Sequence, residues 1–182
     1  MGKMKVFMPV ADGFEDIEAM TVVDVLRRAG ITIDIVGVPG TFIRSRSGVR
    51  ITVDKRLQEV NVDEHDGVII PGGNEGVKNL SRSISLLNMI KKMNAQGKLV
   101  GAICAAPLIL AKIGVLDDKR ATIYPGLERE LTYPRDGPVV VDKNVITSQG
   151  PGTAMDFALK LVEVLAGKGE IQKLKEKLIY KP

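Results

Sequence analysis

A lone thiol, three closely spaced acids and a pair of glycines are the residues of this chain whose types and spacing suit chemistry. Cys104, the only cysteine of 182 residues, lies in GAICAAP behind the apolar run Leu99–Val100. Its neighbours Gly101, Ala102, Ala105 and Ala106 are all small. Small flanking residues let a strand bend sharply into a helix and push one side chain outward, as in a nucleophile elbow. A thiol there faces the free amides and partial positive charge of a helix start, so it is expected below its ordinary pKa of ~8.5 and to serve as a nucleophile. The competing reading of a single cysteine is a small, inert core hydrophobe.

Chemistry at a thiolate also needs amides to hold developing charge and a group to carry protons. VIIPGGN offers Gly72 and Gly73, whose amides, with that of Ala105, are expected to form an oxyanion hole. GFEDIE sets Glu15, Asp16 and Glu18 just after another apolar run. Acids there ordinarily cap a helix, but one held against the thiol would stay protonated and shuttle that proton. His65, the only histidine, precedes the apolar run 67–71, so it is expected as a solvated loop residue at the amino edge of a sheet. Cys104 belongs to the carboxyl edge, and a Cys-His pair within one chain is not expected. One Cys and one His cannot make a zinc site, and PGGNEG and GPGTAM lack the nicotinamide fingerprint; no metal and no cofactor are expected.

The elements that must position these residues follow from periodicity. Strands are expected at 4–10, 31–38, 67–71, 98–103 and near 121–124, with VVVD and VITS flanking a Lys143-Asn144 turn. Helices are expected up to Arg28, across 75–95 in two segments, at 105–113 and at 153–165, and PGTFIRSRSG reads as irregular with a short hairpin after it. Alternating strands and helices imply right-handed crossovers and a mostly parallel sheet covered on both faces. Asp156, Lys160 and Glu163 share one arc, expected to face solvent. Residues 17–26 are apolar nearly all round, so this helix needs cover on a second side, from its own chain or from a second copy. Ile171, Leu174 and Leu178 form an apolar stripe with lysines outside, read as a surface helix packed on the domain.

Composition narrows the class. A chain of 182 residues, 45% hydrophobic, suits one domain spanning 1–182. The 26 basic residues are interspersed with 22 acidic ones for a net charge of +4, and aromatics are 4%, so nucleic-acid binding is not expected. No apolar run reaches the ~18 residues of a membrane span, and no signal-type segment opens the chain. The opening Met-Gly is no myristoylation motif, because Val6 stands where that motif has Ser or Thr. A cytoplasmic protein without membrane contact or internal disulfide is the expectation.

Taken in order, GFEDIEA, VIIPGGN, GAICAAP and TSQGPGTAMDFALKLVE resemble the ThiJ/PfpI superfamily, and within it the DJ-1 branch with its bacterial YajL-type members. The likeness runs from about residue 3 to 167. It implies an α/β, flavodoxin-like three-layer sandwich and a homodimer with the reactive cysteine near the subunit contact. By motif position Cys104 matches the family's oxidisable nucleophile and Glu18 the glutamate whose protonated carboxyl meets it. Gly72, Gly73 and Ala105 match the oxyanion-binding backbone. Tyr124 takes the place where some relatives have His; a phenol donates a hydrogen bond but is a poor base near neutral pH. Gln149 replaces an arginine found in some relatives. Ala105 stands where the protease-like branch carries a histidine, and no histidine follows Cys104 as class I glutamine amidotransferases require.

The activities this branch implies are glutathione-independent glyoxalase, repair of glyoxal-modified proteins, and redox-regulated chaperone behaviour. The leading expectation is therefore an enzyme acting on α-oxoaldehydes or glycated protein through Cys104 and Glu18. The alternative is an oxidative-stress sensor or chaperone without turnover, and an intracellular cysteine protease stands behind both.

Overall fold

The computed structural model describes residues 3–181, so the opening Met-Gly lies outside the described residues. Seven strands form the main sheet. In chain order the strands are β1 (Lys5–Val10), β2 (Thr32–Gly37), β3 (Phe42–Arg44), β4 (Arg50–Thr52), β5 (Lys55–Arg56), β6 (Gly67–Ile70), β7 (Leu99–Ile103), β8 (Arg120–Ala121), β9 (Tyr133–Pro134), β10 (Val139–Asp142) and β11 (Val145–Ser148). The helices are α1 (Asp16–Arg28), α2 (Asn74–Leu80), α3 (Ile84–Ala95), α4 (Pro107–Lys112), α5 (Ala154–Ala166) and α6 (Lys168–Lys177).

The sheet runs β10-β11-β7-β6-β1-β2-β5. Only the β10–β11 hairpin is antiparallel; β11, β7, β6, β1, β2 and β5 pair in parallel. Central strands of such a sheet are buried on both faces and need continuous apolar runs. Val6 to Val10, Val68 to Ile70 and Leu99 to Ile103 are buried without a break. From β1 the chain steps to β2 on one side, then returns to lay β6 on the other. Right-handed crossovers in opposite directions put α1 and α3 on opposite faces, giving the α/β flavodoxin-like layering. α5 packs beside α1.

Four expectations change in the structure. The helix read at 105–113 starts only at Pro107, a residue suited to the first helical position, after a turn over 104–106. The strand read near 121–124 shrinks to β8, which pairs with β9 in a separate small sheet. The hairpin begins inside PGTFIRSRSG, since β3 starts at Phe42. The polar arc of α5 is only half open to solvent: Asp156, Lys160 and Glu163 line a groove with Ile171, Lys175 and Tyr180, because α6 folds back over α5 and inserts Leu174, 3% exposed. On α1, Ala19, Val22, Val23, Val25 and Leu26 are buried by the chain itself, whereas Ile17 stays 56% and Met20 36% exposed. Among the described residues no helix is long and apolar enough to cross a membrane.

Candidate active site at the switch point of the sheet

The neighbouring parallel strands β1, β6 and β7 end at the same edge, and the crevice between β1 and β6 is where strand order reverses. Ligands of open α/β sheets bind there because loops diverge to opposite faces and leave a gap. Here a cavity of about 680 Å³ opens, lined by Asp12, Glu15, Arg44, Arg46, Cys104 and Tyr124 among others.

Cys104 takes φ of +64°, a left-handed conformation rare for a side-chain-bearing residue and typical of a strained elbow. Two hydrogen bonds hold it there: its N–H donates to Ser148 O at 3.0 Å, and its carbonyl accepts from Tyr124 N at 2.9 Å. The side chain looks into the cavity but the residue is only 7% exposed. The amides of Gly73 and Ala105 lie beside the sulfur and favour its ionised form.

Glu18 lies in the first turn of α1, wholly buried. Its Oε2 accepts from the Gly72 N–H at 2.7 Å, and the carboxyl and the Cys104 thiol lie close enough for each to act on the other's ionisation. Oε1 is the one buried side-chain nitrogen or oxygen among the described residues without a hydrogen-bond partner. Gly72 is what lets the two groups meet: a Cβ there would stand 2.5 Å from both Cys104 Cβ and Glu18 Oε2. Gly73, at φ of +92°, turns the chain where a Cβ would fall 2.3 Å from the Gly13 carbonyl oxygen.

Electrostatics correct one expectation. Burial, then the charge of Glu18, push the Cys104 thiol up to about 12, and the Gly73 and Ala105 amides offset only part of this. The expected lowering fails because the sulfur is buried and stands beside Glu18, while α4 is short and begins only three residues later. Burial likewise pushes the Glu18 carboxyl up to about 7, against the Gly72 amide and the thiol. The two groups therefore compete for one proton. The Gly72 amide belongs to Glu18 and is not a free oxyanion donor, a second difference from the sequence reading.

His65 is a third. It sits at the amino edge of the sheet, opposite Cys104, but it is 2% exposed rather than solvated. Nδ1 meets Asn61 O at 2.7 Å, Nε2 meets Asp34 Oδ2 at 3.3 Å, and the ring packs edge-on against Phe7. Tyr124 reaches the cavity rim, 47% exposed. Gln149 bonds Asp136 instead of the cavity. The sequence reading missed the contribution of the β3–β4 hairpin, which brings Arg44 and Arg46 to the rim. Its signal was two arginines in a stretch with no core pattern. No group of three or more His, Cys, Asp or Glu able to hold a metal ion occurs among the described residues.

The model of the DJ-1/PfpI family matches residues 4–164. The chain belongs to this family. Among its relatives, Protein dj-1beta of Drosophila melanogaster is 40% identical, covering 93% of this chain and 94% of that protein. The Parkinson disease protein 7 homolog of Danio rerio is 34% identical with both chains fully covered. The solved structure of oxidized DJ-1 from Toxoplasma gondii superposes with a TM-score of 0.95 at 37% identity, covering 98% of this chain and all of that one. The DJ-1/PfpI membership agrees with the parallel sheet and with the four motifs, each of which includes a loop or turn at the carboxyl edge.

Proposed function

We propose that this chain is a cysteine-dependent enzyme acting on α-oxoaldehydes, a glutathione-independent glyoxalase or protein deglycase, with Cys104 as nucleophile and Glu18 as proton carrier. The observation that carries the reading is the buried Cys104–Glu18 contact across Gly72, with Glu18 ionising near 7 and its Oε1 unpartnered. Above that pH the pair carries one negative charge. It rests on Glu18 until a carbonyl arrives, and attack then moves the thiol proton onto the carboxylate.

For methylglyoxal the sulfur adds to the aldehyde carbon, and the amides of Gly73 and Ala105 hold the resulting alkoxide until it is protonated to the hemithioacetal. Glu18 takes the hydrogen of that carbon as a proton, and the electron pair moves to the neighbouring carbonyl oxygen. Reprotonation at that oxygen and its carbon, with loss of the first hydroxyl proton, leaves a thioester. Water cleaves it to lactate and restores the thiol. One carbon is oxidised and its neighbour reduced, so no external oxidant is needed. Tyr124 at the rim is suited to donate a hydrogen bond to the substrate carbonyl. The cavity is wide enough to admit a modified side chain of a protein as well as a free aldehyde.

The test is lactate formation from methylglyoxal. Cys104→Ala is expected to give no lactate above the buffer blank, and a mutant equal to wild type overturns the mechanism.

A second reading, oxidative-stress sensing without turnover, has its own support. The similar Toxoplasma gondii DJ-1 structure is that of an oxidized protein, and the Gly73 and Ala105 amides of this chain suit an oxidised, negatively charged sulfur. Mild peroxide followed by intact-mass measurement is expected to add two oxygens to Cys104 before any methionine if sensing operates. In either reading the chain acts as one domain, 1–182, in the cytoplasm, and pairs with a second copy through the uncovered Ile17 and Met20 of α1.

A further inference from the structure

A second cavity, also about 680 Å³, opens beside the first and shares Asp12 with it. Val38, Pro39, Phe42 and Ile43 form its apolar side, and Asn79 and Arg82, at the turn from α2 into α3, its polar side. The aldehyde chemistry at Cys104 does not use it. Phe42 stands 80% exposed at its rim, and Ile84, the residue after Ser83 of the cavity wall, 74%. Large apolar side chains left in water around a cavity mark a binding surface.

The edge of β3 says what kind of molecule fits. In the antiparallel β3–β4 ladder the bonded pairs are Thr41–Val53 and Ser45–Val49, so at Phe42 and Arg44 the main-chain groups point away from β4. At Arg44 they are used: its N–H donates to Asp12 Oδ1 at 2.8 Å and its carbonyl accepts from Gly13 N at 2.8 Å. At Phe42 neither group has a partner among the described residues. An unpaired strand edge beside side-chain pockets is what an extended peptide adds to. A small molecule would be poorly covered, because Pro39, Phe42 and Arg82 are all exposed. Charge narrows the peptide further. The Arg82 guanidinium meets only the Asn79 amide oxygen, at 3.4 Å, and has no acidic partner among the described residues, whereas Arg46 at the first cavity already faces Glu15 at 3.9 Å. Asn79 Nδ2 also donates to the Asp12 carbonyl at 3.0 Å, so the amide stands between Arg82 and Asp12. An acidic side chain beside an apolar anchor complements Arg82.

Phe42 and Arg44, alternate residues of one strand, line different cavities. An extended chain advances ~3.3 Å per residue with alternate side chains on one face, so side chains two or four residues apart on a bound peptide reach both. We propose that the second cavity holds the extended flank of a protein substrate, an apolar side chain with an acidic neighbour, while the modified side chain enters the cavity of Cys104. This rests on the deglycase reading of the site, but its test is independent of turnover. The probe is the peptide acetyl-Lys-Ser-Lys-Ala-Phe-Glu-Ser-amide, with its Phe→Ala counterpart as control. Calorimetric titration measures binding to wild type, Phe42→Ser and Arg82→Gln; both side chains are exposed, so these variants preserve the fold. Alkylation of Cys104 by iodoacetamide, profiled from pH 4 to 9 with and without peptide, reports whether the bound chain reaches the thiol.

The Kd of the peptide is expected to rise about tenfold in Phe42→Ser and about threefold in Arg82→Gln, and the alanine peptide is expected to bind wild type about tenfold more weakly than the phenylalanine one. Saturating peptide is expected to slow Cys104 alkylation in wild type, and this protection is lost in Phe42→Ser at the same concentration. Equal binding of the two peptides, a Phe42→Ser Kd that matches wild type, or binding that leaves Cys104 unprotected overturns the proposal. So does binding of sodium 2-naphthoate that both substitutions weaken while the peptide does not bind, because the occupant is then a small apolar anion. If the peptide binds and protects as expected while wild type forms no lactate from methylglyoxal, the enzymatic reading fails alone. If lactate forms and the peptide does not bind, the docking groove fails alone.

Discussion

Cys104 and Glu18 meet across Gly72, so closely that a single added methyl group would stand 2.5 Å from atoms of both. Three separate segments supply these residues: the first turn of α1, the loop after β6 and the turn after β7. Gly72→Ala is therefore expected to push thiol and carboxyl apart, at a cost of about 1–3 kcal/mol in stability from overpacking. Urea unfolding measures the cost. Lactate formation from methylglyoxal should fall by at least the ~10²-fold that a displaced proton carrier loses.

The raised Glu18 pKa ties stability to pH with a definite sign. Between its ordinary value of 4.5 and the folded value of about 7, the folded state holds more protons than the unfolded one, so stability falls as pH rises through that window. The span corresponds to about 3 kcal/mol. Glu18→Gln carries no such charge, and urea unfolding at pH 5 and pH 8 should show it gaining on wild type at the higher pH. The same variant should lose the inflection near 7 in the alkylation profile.

The left-handed backbone of Cys104 predicts a stability order among inactive variants. Cys104→Gly tolerates φ of +64° without a Cβ penalty, whereas Cys104→Ala keeps it. The glycine variant is expected to exceed the alanine variant by about 1 kcal/mol in denaturant unfolding, although both lack the nucleophile.

His65 has a structural assignment. His65→Ala removes the ring's bonds to Asn61 and Asp34 and its edge contact with Phe7, with an expected loss of about 2–4 kcal/mol in urea unfolding. Because it lies at the opposite edge of the sheet, the alkylation profile of Cys104 should keep its wild-type inflection.

Ile17 reports on assembly. Placing a charge on the exposed apolar face of α1, as in Ile17→Glu, is expected to raise the dissociation constant of a dimer about tenfold or more, read by sedimentation velocity across a dilution series. A wild type that sediments as a monomer at all concentrations removes this interface.

Much of this architecture was legible along the chain. The unbroken apolar runs of β1, β6 and β7 and the glycines that close the helices announce a parallel sheet, because strands buried on both faces leave no polar positions. The elbow around Cys104 was legible for the same local reason: only small residues allow that bend. What local pattern could not carry was the sign of the electrostatics. Whether a thiol is eased or resisted in losing its proton depends on how far it is from water and from Glu18, and that is set by packing between residues 86 positions apart. The burial of His65, the roof that α6 lays over α5, and the arrival of Arg46 beside Glu15 have the same origin. Each depends on which distant segment folds against a polar residue, and only the tertiary structure decides that.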